Sequence, residues 1–317
     1  MDIQDIYDEF SAGRVDPEAI RSFLRYAYDN WNAGQEPPTY VLLVGDGHYD
    51  FTGVSGTTLL NLIPPFLVRI DPWLGETAAD NRFVSLDGPN DFLPEMHIGR
   101  IPAQTPADVT AVVNKILAYE SDTAPAEWQR RVVFVADNWA DPAGNFHALS
   151  NDIRFNYLPA EYDDPTIYYN GDYFTANDMR LAIRAAFDQG GLMLQWFGHA
   201  SRFRWGSVSM FNIFDIPVLA SHPNDTKWPI TVSYSCWAGY FINLDGGNQT
   251  LGETFLLAPQ RGSIVDLSPS GLHVGWDLNK LNQALVRATL QDRIERAGEA
   301  FDQAKAYYFA GASGSLT

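Results

Sequence analysis

The chain of 317 residues contains a single cysteine, Cys236. One thiol cannot close an internal disulfide, so the fold does not rest on cross-links and the redox compartment stays open. No apolar run approaches the roughly eighteen residues that a membrane-spanning helix requires. Basic residues are in the minority, 21 Lys and Arg against 39 Asp and Glu, giving a formal net charge of −18. That deficit argues against nucleic acid or an anionic membrane as a partner. It reads as a solvated acidic surface, with attraction of basic substrates as the lesser alternative. A nucleotide-binding signature is also missing. Gly45-Asp46-Gly47 ends an apolar run, but no phosphate-loop lysine and no full G-x-G-x-x-G accompany it. There is no internal repeat and no low-complexity segment. The opening residues, Met1-Asp2-Ile3-Gln4-Asp5, are acidic and lack a signal-peptide pattern.

What is present is a globular composition, 46% apolar and 14% aromatic, long enough for one large α/β domain or two small ones. Asp16-Pro17 opens a helix to about Trp31, and Thr39 to Val44 reads as a buried strand. His48 and Asp50 follow it. They are candidates for metal or substrate, although a hydrogen-bonded turn is the stronger reading. Leu59 to Leu67, broken by Pro64-Pro65, is limited to an edge strand or extended loop. Asp71 to Pro94 reads as a long polar loop. Its Asp80, Asp87 and Asp91 make a structural calcium ion the alternative to simple solvation. No cofactor is otherwise required.

Thr105-Pro106 starts a helix to about Tyr119 with Val109, Val112, Val113, Ile116 and Leu117 as its apolar stripe. Ser121 to Glu127 reads as a boundary, so the expected organisation is one subdomain over 1–124 and a second over 125–317. The second half alternates strands and helices and ends in one long helix from Asp277 to about Tyr307. Buried strands alternating with helices predict mostly parallel sheet with helices on both faces.

Two apolar runs carry the chemistry. Leu192-Met193-Leu194-Gln195-Trp196-Phe197 ends in Gly198-His199-Ala200. Pro229-Ile230-Thr231-Val232-Ser233-Tyr234-Ser235 ends in Cys236-Trp237-Ala238-Gly239. Ligands of open α/β sheets bind beyond the carboxyl ends of the strands. An imidazole and a thiol at two such ends suit nucleophilic catalysis, in which the imidazole takes the proton and the thiolate attacks. A core cysteine and a packed strand-end histidine are the plainer alternative.

Gly198-His199-Ala200 with Ser201 and Trp205-Gly206, followed by Ser235-Cys236-Trp237-Ala238-Gly239-Tyr240-Phe241, resembles the active-site core of gingipain-type cysteine peptidases of the caspase-like clan. Tyr7-Asp8-Glu9-Phe10-Ser11, Ala19 to Leu24, Tyr40 to Asp46, Ile98-Gly99-Arg100-Ile101-Pro102 and Lys115 to Glu120 resemble further family blocks, in the family's order. The likeness runs from about Asp5 to about Leu285. It implies a caspase-like α/β/α sandwich, with a gingipain-like subdomain over 1–124 and a catalytic one over 125–317.

It further implies Cys236 as nucleophile, His199 as base and then acid, and the N–H groups of Ala200 and Cys236 as an oxyanion hole. Ala200 replaces the family's usual glycine, which matters if that position needs positive φ. An acidic residue after the first strand of the second half orients the imidazole in the family. Asp137 is the expected match and Asn138 the alternative. Asn145 falls where an arginine-specific pocket would carry an aspartate, so arginine specificity is not implied. Trp205, Trp237, Asp266, Ser268 and Ser270 are the remaining expected substrate contacts. The implied function is an endopeptidase acting through a thioester on protein or peptide substrates, secreted or at the cell surface. A transpeptidase processing exported proteins and an inactive caspase-like binding domain are the alternatives. The family's strand ahead of Tyr7 and its Gly-Asp-Pro element after the final helix are absent. The expectation is therefore a catalytic domain processed or excised from a larger protein.

Overall fold

The structure, a computed structural model, describes residues 1–312 except 33, 35, 89, 90, 92, 223, 224, 245–248, 273 and 274. The chain forms two compact units, Met1–Gln104 with Phe241–Asn248 and Thr105–Tyr240 with Gln249–Thr317. The division falls at Gln104 rather than near residue 124. The helix that follows Thr105 is fastened into the second unit by a buried lysine, and no change of composition marks that attachment.

In the first unit, α1 (Ile3–Ser11) and α2 (Pro17–Asn30) precede β1 (Tyr40–Val44), β2 (Leu67–Asp71), β3 (Gly75–Ala78) and β4 (His97–Ile101). Asp16 caps α2 by accepting from Glu18 N–H at 2.9 Å, and Pro17 fills the first turn. β1 and β4 pair in parallel. Ile20, Phe23 and Leu24 of α2 pack with Leu43. Tyr40, Leu42 and Val44 stay exposed, so β1 is buried on one face only and not on both as its apolar run suggests.

The Asp71–Pro94 stretch is partly ordered into regular structure. β2 and β3 form an antiparallel hairpin, and a 3₁₀ turn spans Asp80–Phe83. Asp80 accepts from Arg100 at 2.6 and 2.9 Å, and Asp91 accepts from the N–H of Asp87 at 3.1 Å. Among the described residues no three acidic, histidine or cysteine side chains gather as a metal would need. His48 is buried, with Nε2 3.3 Å from Leu59 O. Asp50 closes a turn by accepting from the N–H groups of Thr52, Val54 and Ser55. Gly47 is needed because a Cβ there would collide with Ile63 O.

The second unit runs α3 (Pro106–Ser121), β5 (Val132–Ala136), α4 (Phe146–Asn156), β6 (Thr166–Tyr168), α5 (Ala176–Gln189), β7 (Met193–Phe197), β8 (Ala200–Ser201), β9 (Arg204–Trp205), β10 (Phe211–Asn212), β11 (Ile230–Tyr234), α6 (Leu251–Leu257), β12 (Val265–Leu267), α7 (Gly275–Val286) and α8 (Ala297–Ala312). Its main sheet has the order β12-β11-β7-β5-β6 and is parallel throughout. Alternate residues face opposite layers. Val132, Phe134 and Ala136 meet α4, α7 and α8 through Ile153, Leu285 and Ala304. Val133 and Val135 meet α5 and α6 through Ile183, Phe187 and Phe255. This is the expected α/β/α sandwich.

Two helices differ from expectation. The long C-terminal helix is two, because the chain reverses after a π turn at Arg287–Gln291, with Arg293 at φ 57°. The reversal lets Leu285 and Val286 on one arm and Ala300 and Ala304 on the other join the same core. On α3 the buried positions are Val112 and Lys115, while Val113 and Leu117 are exposed. Of the expected apolar stripe only Val112 is fully buried, and the other buried position is a lysine.

Trp205 is wholly buried. It stacks on Trp196 at 5.4 Å and 7°, and its Nε1 donates to Ser233 Oγ at 3.1 Å. Trp205→Ala is therefore expected to cost about 3–5 kcal/mol in urea unfolding, and Trp205→Phe much less. An unchanged midpoint for the alanine variant would contradict this packing. Asp266 lies on β12 opposite Thr231, whose Oγ1 donates to Oδ2 at 2.6 Å. Burial pushes its carboxyl up to about 6. A carboxyl raised in the fold binds more protons than in the unfolded chain between about pH 4 and 6, so its contribution to stability is lost as pH rises through that window. Asp266→Asn should gain on wild type across that window, by roughly 3 kcal/mol at most, and hold the gap above it. Unfolding at stepwise pH measures this, and a pH-independent gap would contradict it.

Candidate active site

β7 and β11 are parallel neighbours with Phe197 paired to Tyr234. His199 and Cys236 each stand two residues beyond that last pair, so both leave the sheet at its carboxyl edge. The ladder holds past the strands: Gly198 N–H donates to Tyr234 O at 3.3 Å, and Asp137 N–H to Phe197 O at 2.8 Å. A side chain at Gly198 would collide with Asp137 Cβ and the Trp196 indole. Glycine there lets the three strand ends close up.

The main chain of His199 is fixed on both sides. Its carbonyl accepts from Trp196 Nε1 at 3.1 Å and Gly206 N–H at 2.8 Å, and its N–H faces Asp137 Oδ2 at 3.4 Å. Its ring packs edge-on against Phe146 at 5.5 Å. Ring Nε2 lies 3.0 Å from Asp141 Oδ1. The side chain is 40% exposed, so the rest of the ring is open to a reactant.

The imidazole therefore meets Asp141 and not the expected Asp137. Asp137 is buried. Its Oδ1 accepts from Asn138 N–H at 2.8 Å, and burial pushes its carboxyl up against the pull of the Asn138 N–H and His199. Asn138, the alternative, accepts from Ala140 N–H at 3.3 Å and Asn170 Nδ2 at 3.4 Å. Partial burial would raise Asp141, but the Ala143 N–H and the His199 contact outweigh it and hold that carboxyl below its usual range. A sequence signal for Asp141 exists. Asp141-Pro142-Ala143-Gly144 is a turn signature with Pro second and Gly fourth, and Gly144 N–H donates to Asp141 O at 3.0 Å. The turn carries the carboxylate four residues past the expected position.

Cys236 is a half-buried thiol outside any disulfide. Trp237 follows it at φ 53°, a left-handed conformation that is costly for a bulky side chain and recurs at functional turns. Trp237 N–H donates to Gly271 O at 3.1 Å and Gly239 N–H to Pro269 O at 2.9 Å. The Cys236 loop and the loop of Ser268 and Ser270 are thus joined. Ser268 Oγ is buried, and Trp237 and Ser270 of the two joined loops are half-buried. Ala200 begins β8, paired with Trp205, and is not among the positive-φ residues. Its replacement of glycine forces no strained backbone.

Three expected substrate contacts are occupied elsewhere. Trp205 is core. Asp266 is half-buried, bonded to Thr231 and close against Gly252. Asn145 caps α4, accepting from Ala148 N–H at 2.9 Å. Trp139, which the sequence reading passed over, is exposed in the same loop as Asp141.

The sequence matches peptidase family C25 over residues 1–316. Lys-gingipain of Porphyromonas gingivalis is 23% identical over 271 residues, which are 83% of this chain and 14% of that protein. Lys-gingipain W83 of the same organism is 24% identical over 273 residues with the same coverage. The chain thus spans about a seventh of the length of these relatives. The crystal structure of the Arg-specific cysteine proteinase gingipain R superposes with a TM-score of 0.72 at 19% identity, covering 98% of this chain and 70% of that one. The complex of the Porphyromonas gingivalis RgpB pro- and mature domains gives 0.69 at 17% identity, covering 99% and 72%. The structural likeness supports the caspase-like sandwich, and the family match takes in both the histidine and the cysteine strand ends. The chain belongs to peptidase family C25, the gingipain-type cysteine peptidases.

Proposed function

We propose that this chain hydrolyses peptide bonds with Cys236 as nucleophile, His199 as general base and acid, and Asp141 as the group that orients the imidazole. The observation that carries the reading is the Asp141–His199 contact on the strand beside the cysteine strand. Asp141 is held in its ionised form, and an ionised carboxylate only accepts, so Nε2 carries the proton. That leaves the lone pair of Nδ1 to take the thiol proton. The thiolate attacks the carbonyl carbon, and the N–H groups of Ala200 and Cys236 receive the negative charge on its oxygen. Collapse breaks the C–N bond. The amine leaves with the imidazolium proton, and the acyl group stays on sulfur as a thioester. Water, deprotonated by the same nitrogen, then attacks; the product acid leaves and the thiol is restored.

Asp137 acts one step back, holding the His199 main chain. The side-chain carbonyl of Asn145 is committed to a helix cap, so that position offers no charge to a basic P1 residue, and arginine preference is not carried over. The ordinary backbone of Ala200 supports an active enzyme over an inactive binding domain. Proteins or peptides are the proposed substrates, and the family likeness supports an exported enzyme.

A peptidyl electrophile read by intact mass tests the dyad. Wild type is expected to label fast, Cys236→Ala not at all, and His199→Ala more slowly by roughly 10²–10⁴-fold. Equal slow labelling of wild type and His199→Ala would overturn the dyad. Asp141→Asn should lower the rate by roughly 10²-fold or more with little loss of stability, because an amide does not enforce the required tautomer. Asp137→Asn with a larger effect than Asp141→Asn would reverse the assigned roles.

A further inference from the structure

Lys115 is 1% exposed in the middle of α3. Its Nζ lies 2.7 Å from Leu256 O, 2.8 Å from Ser263 O, 3.2 Å from Arg261 O and 3.5 Å from Phe255 O. All four acceptors are backbone carbonyls. Two belong to the last turn of α6, and two to the connection that leads into β12. An ammonium has three protons and no acceptor, so it matches a cage of carbonyls. The last carbonyls of a helix have no partner within the helix and carry its negative dipole end, which a cation at that place satisfies. Burial drives the group the other way, down to about 7.

The opposite end of α6 reaches the site. Leu251 N–H donates to Arg202 O at 2.7 Å, in the turn three residues after His199. Gly252 N–H donates to Ala238 O at 3.0 Å, two residues after Cys236. The free amides that begin this helix thus hold both proposed catalytic loops. The connection capped by Lys115 continues through Ser263 into β12 and the Ser268–Gly271 loop. That loop accepts from Trp237 N–H and Gly239 N–H. α6, β12 and the nucleophile loop form a closed frame.

We infer that Lys115 is a positioning residue for the catalytic loops: its ammonium pins the C-terminal end of the helix whose N-terminal amides hold the turns after His199 and Cys236. Its effect on chemistry rests on the cysteine-peptidase reading, but its effect on the frame does not. Lys115→Met keeps the apolar stem and removes the donors. Amide hydrogen exchange of this variant should rise about tenfold or more at Trp237, Gly239, Leu251 and Gly252, and stay near wild type in β5. Labelling of Cys236 by the peptidyl electrophile should fall by up to ~10²-fold, as a small misplacement of reacting groups does. In Lys115→Ala, added propylammonium, which replaces the missing stem and charge, should restore both readouts.

A uniform rise of exchange across the unit would overturn the inference, because Lys115 would then support the fold at large. Unchanged exchange at the four amides would overturn it as well. So would failure of both variants to fold, with no recovery of the alanine variant by propylammonium. If wild-type Cys236 labels no faster than an ordinary thiol, the catalytic reading fails, and the exchange experiment still decides the role of Lys115.

Discussion

The parallel pairing of β7 with β11 is the constraint on which the site depends. Parallel strands all leave a sheet at the same edge, and a shared register fixes how far each has run when it does. Phe197 opposite Tyr234 makes His199 and Cys236 equivalent in height, and β5 on the other side brings Asp137 and the Asp141 turn to the same edge. With a single cysteine in the chain, no cross-link is available to bring these strand ends and the carboxylate turn to one edge. Hydrogen bonds of the sheet do so, and the residues beneath, Trp196 and Phe134 among them, are wholly buried and make the sheet stiff.

Two carboxylates serve the histidine in different ways, and their surroundings separate them. Asp137 is enclosed, bonded to main-chain N–H groups, and pushed toward its neutral form by burial. Asp141 sits at the head of an exposed turn and is held ionised. A buried charge next to the ring would carry a large desolvation cost, whereas a half-solvated one orients the imidazole at little cost. The division leaves one carboxylate for the backbone of His199 and one for its ring. Trp237 adds a local constraint of its own, since a left-handed backbone directly after Cys236 turns the chain back toward the Ser268–Gly271 loop.

Much of this architecture is legible in the residues. The alternation of apolar runs with capped helices marks the parallel sheet, because buried strands are apolar on both faces and Asp16, Thr105, Thr175 and Thr250 announce helix starts. The strand ends at His199 and Cys236 are equally plain, since glycine and small residues stop each run. Less legible are the places where a contact arrives from far along the chain. Trp205 and Trp237 look alike beside His199 and Cys236, yet one is stacked on Trp196 and the other lies in the turn directly after Cys236. Asp266 looks like a pocket wall and is instead bonded to Thr231.

The sequence by itself determined most of the secondary elements, though not the β2–β3 hairpin or the break between α7 and α8, together with the two strand ends that carry the thiol and the imidazole and the family to which they point, because these depend on local periodicity, capping and short motifs. Only the tertiary structure decided which carboxylate meets the imidazole, that α3 belongs with the second unit, and that Lys115 is buried. Each of these rests on a partner far along the chain: Asp141 is 58 positions from His199, and the carbonyls around Lys115 are 140 to 148 positions away. A turn of four residues moved the carboxylate from the expected place, and a helix end supplied a lysine with acceptors that no local pattern encodes. Local patterns set direction and period; which side chains meet is set by packing, and packing is not local.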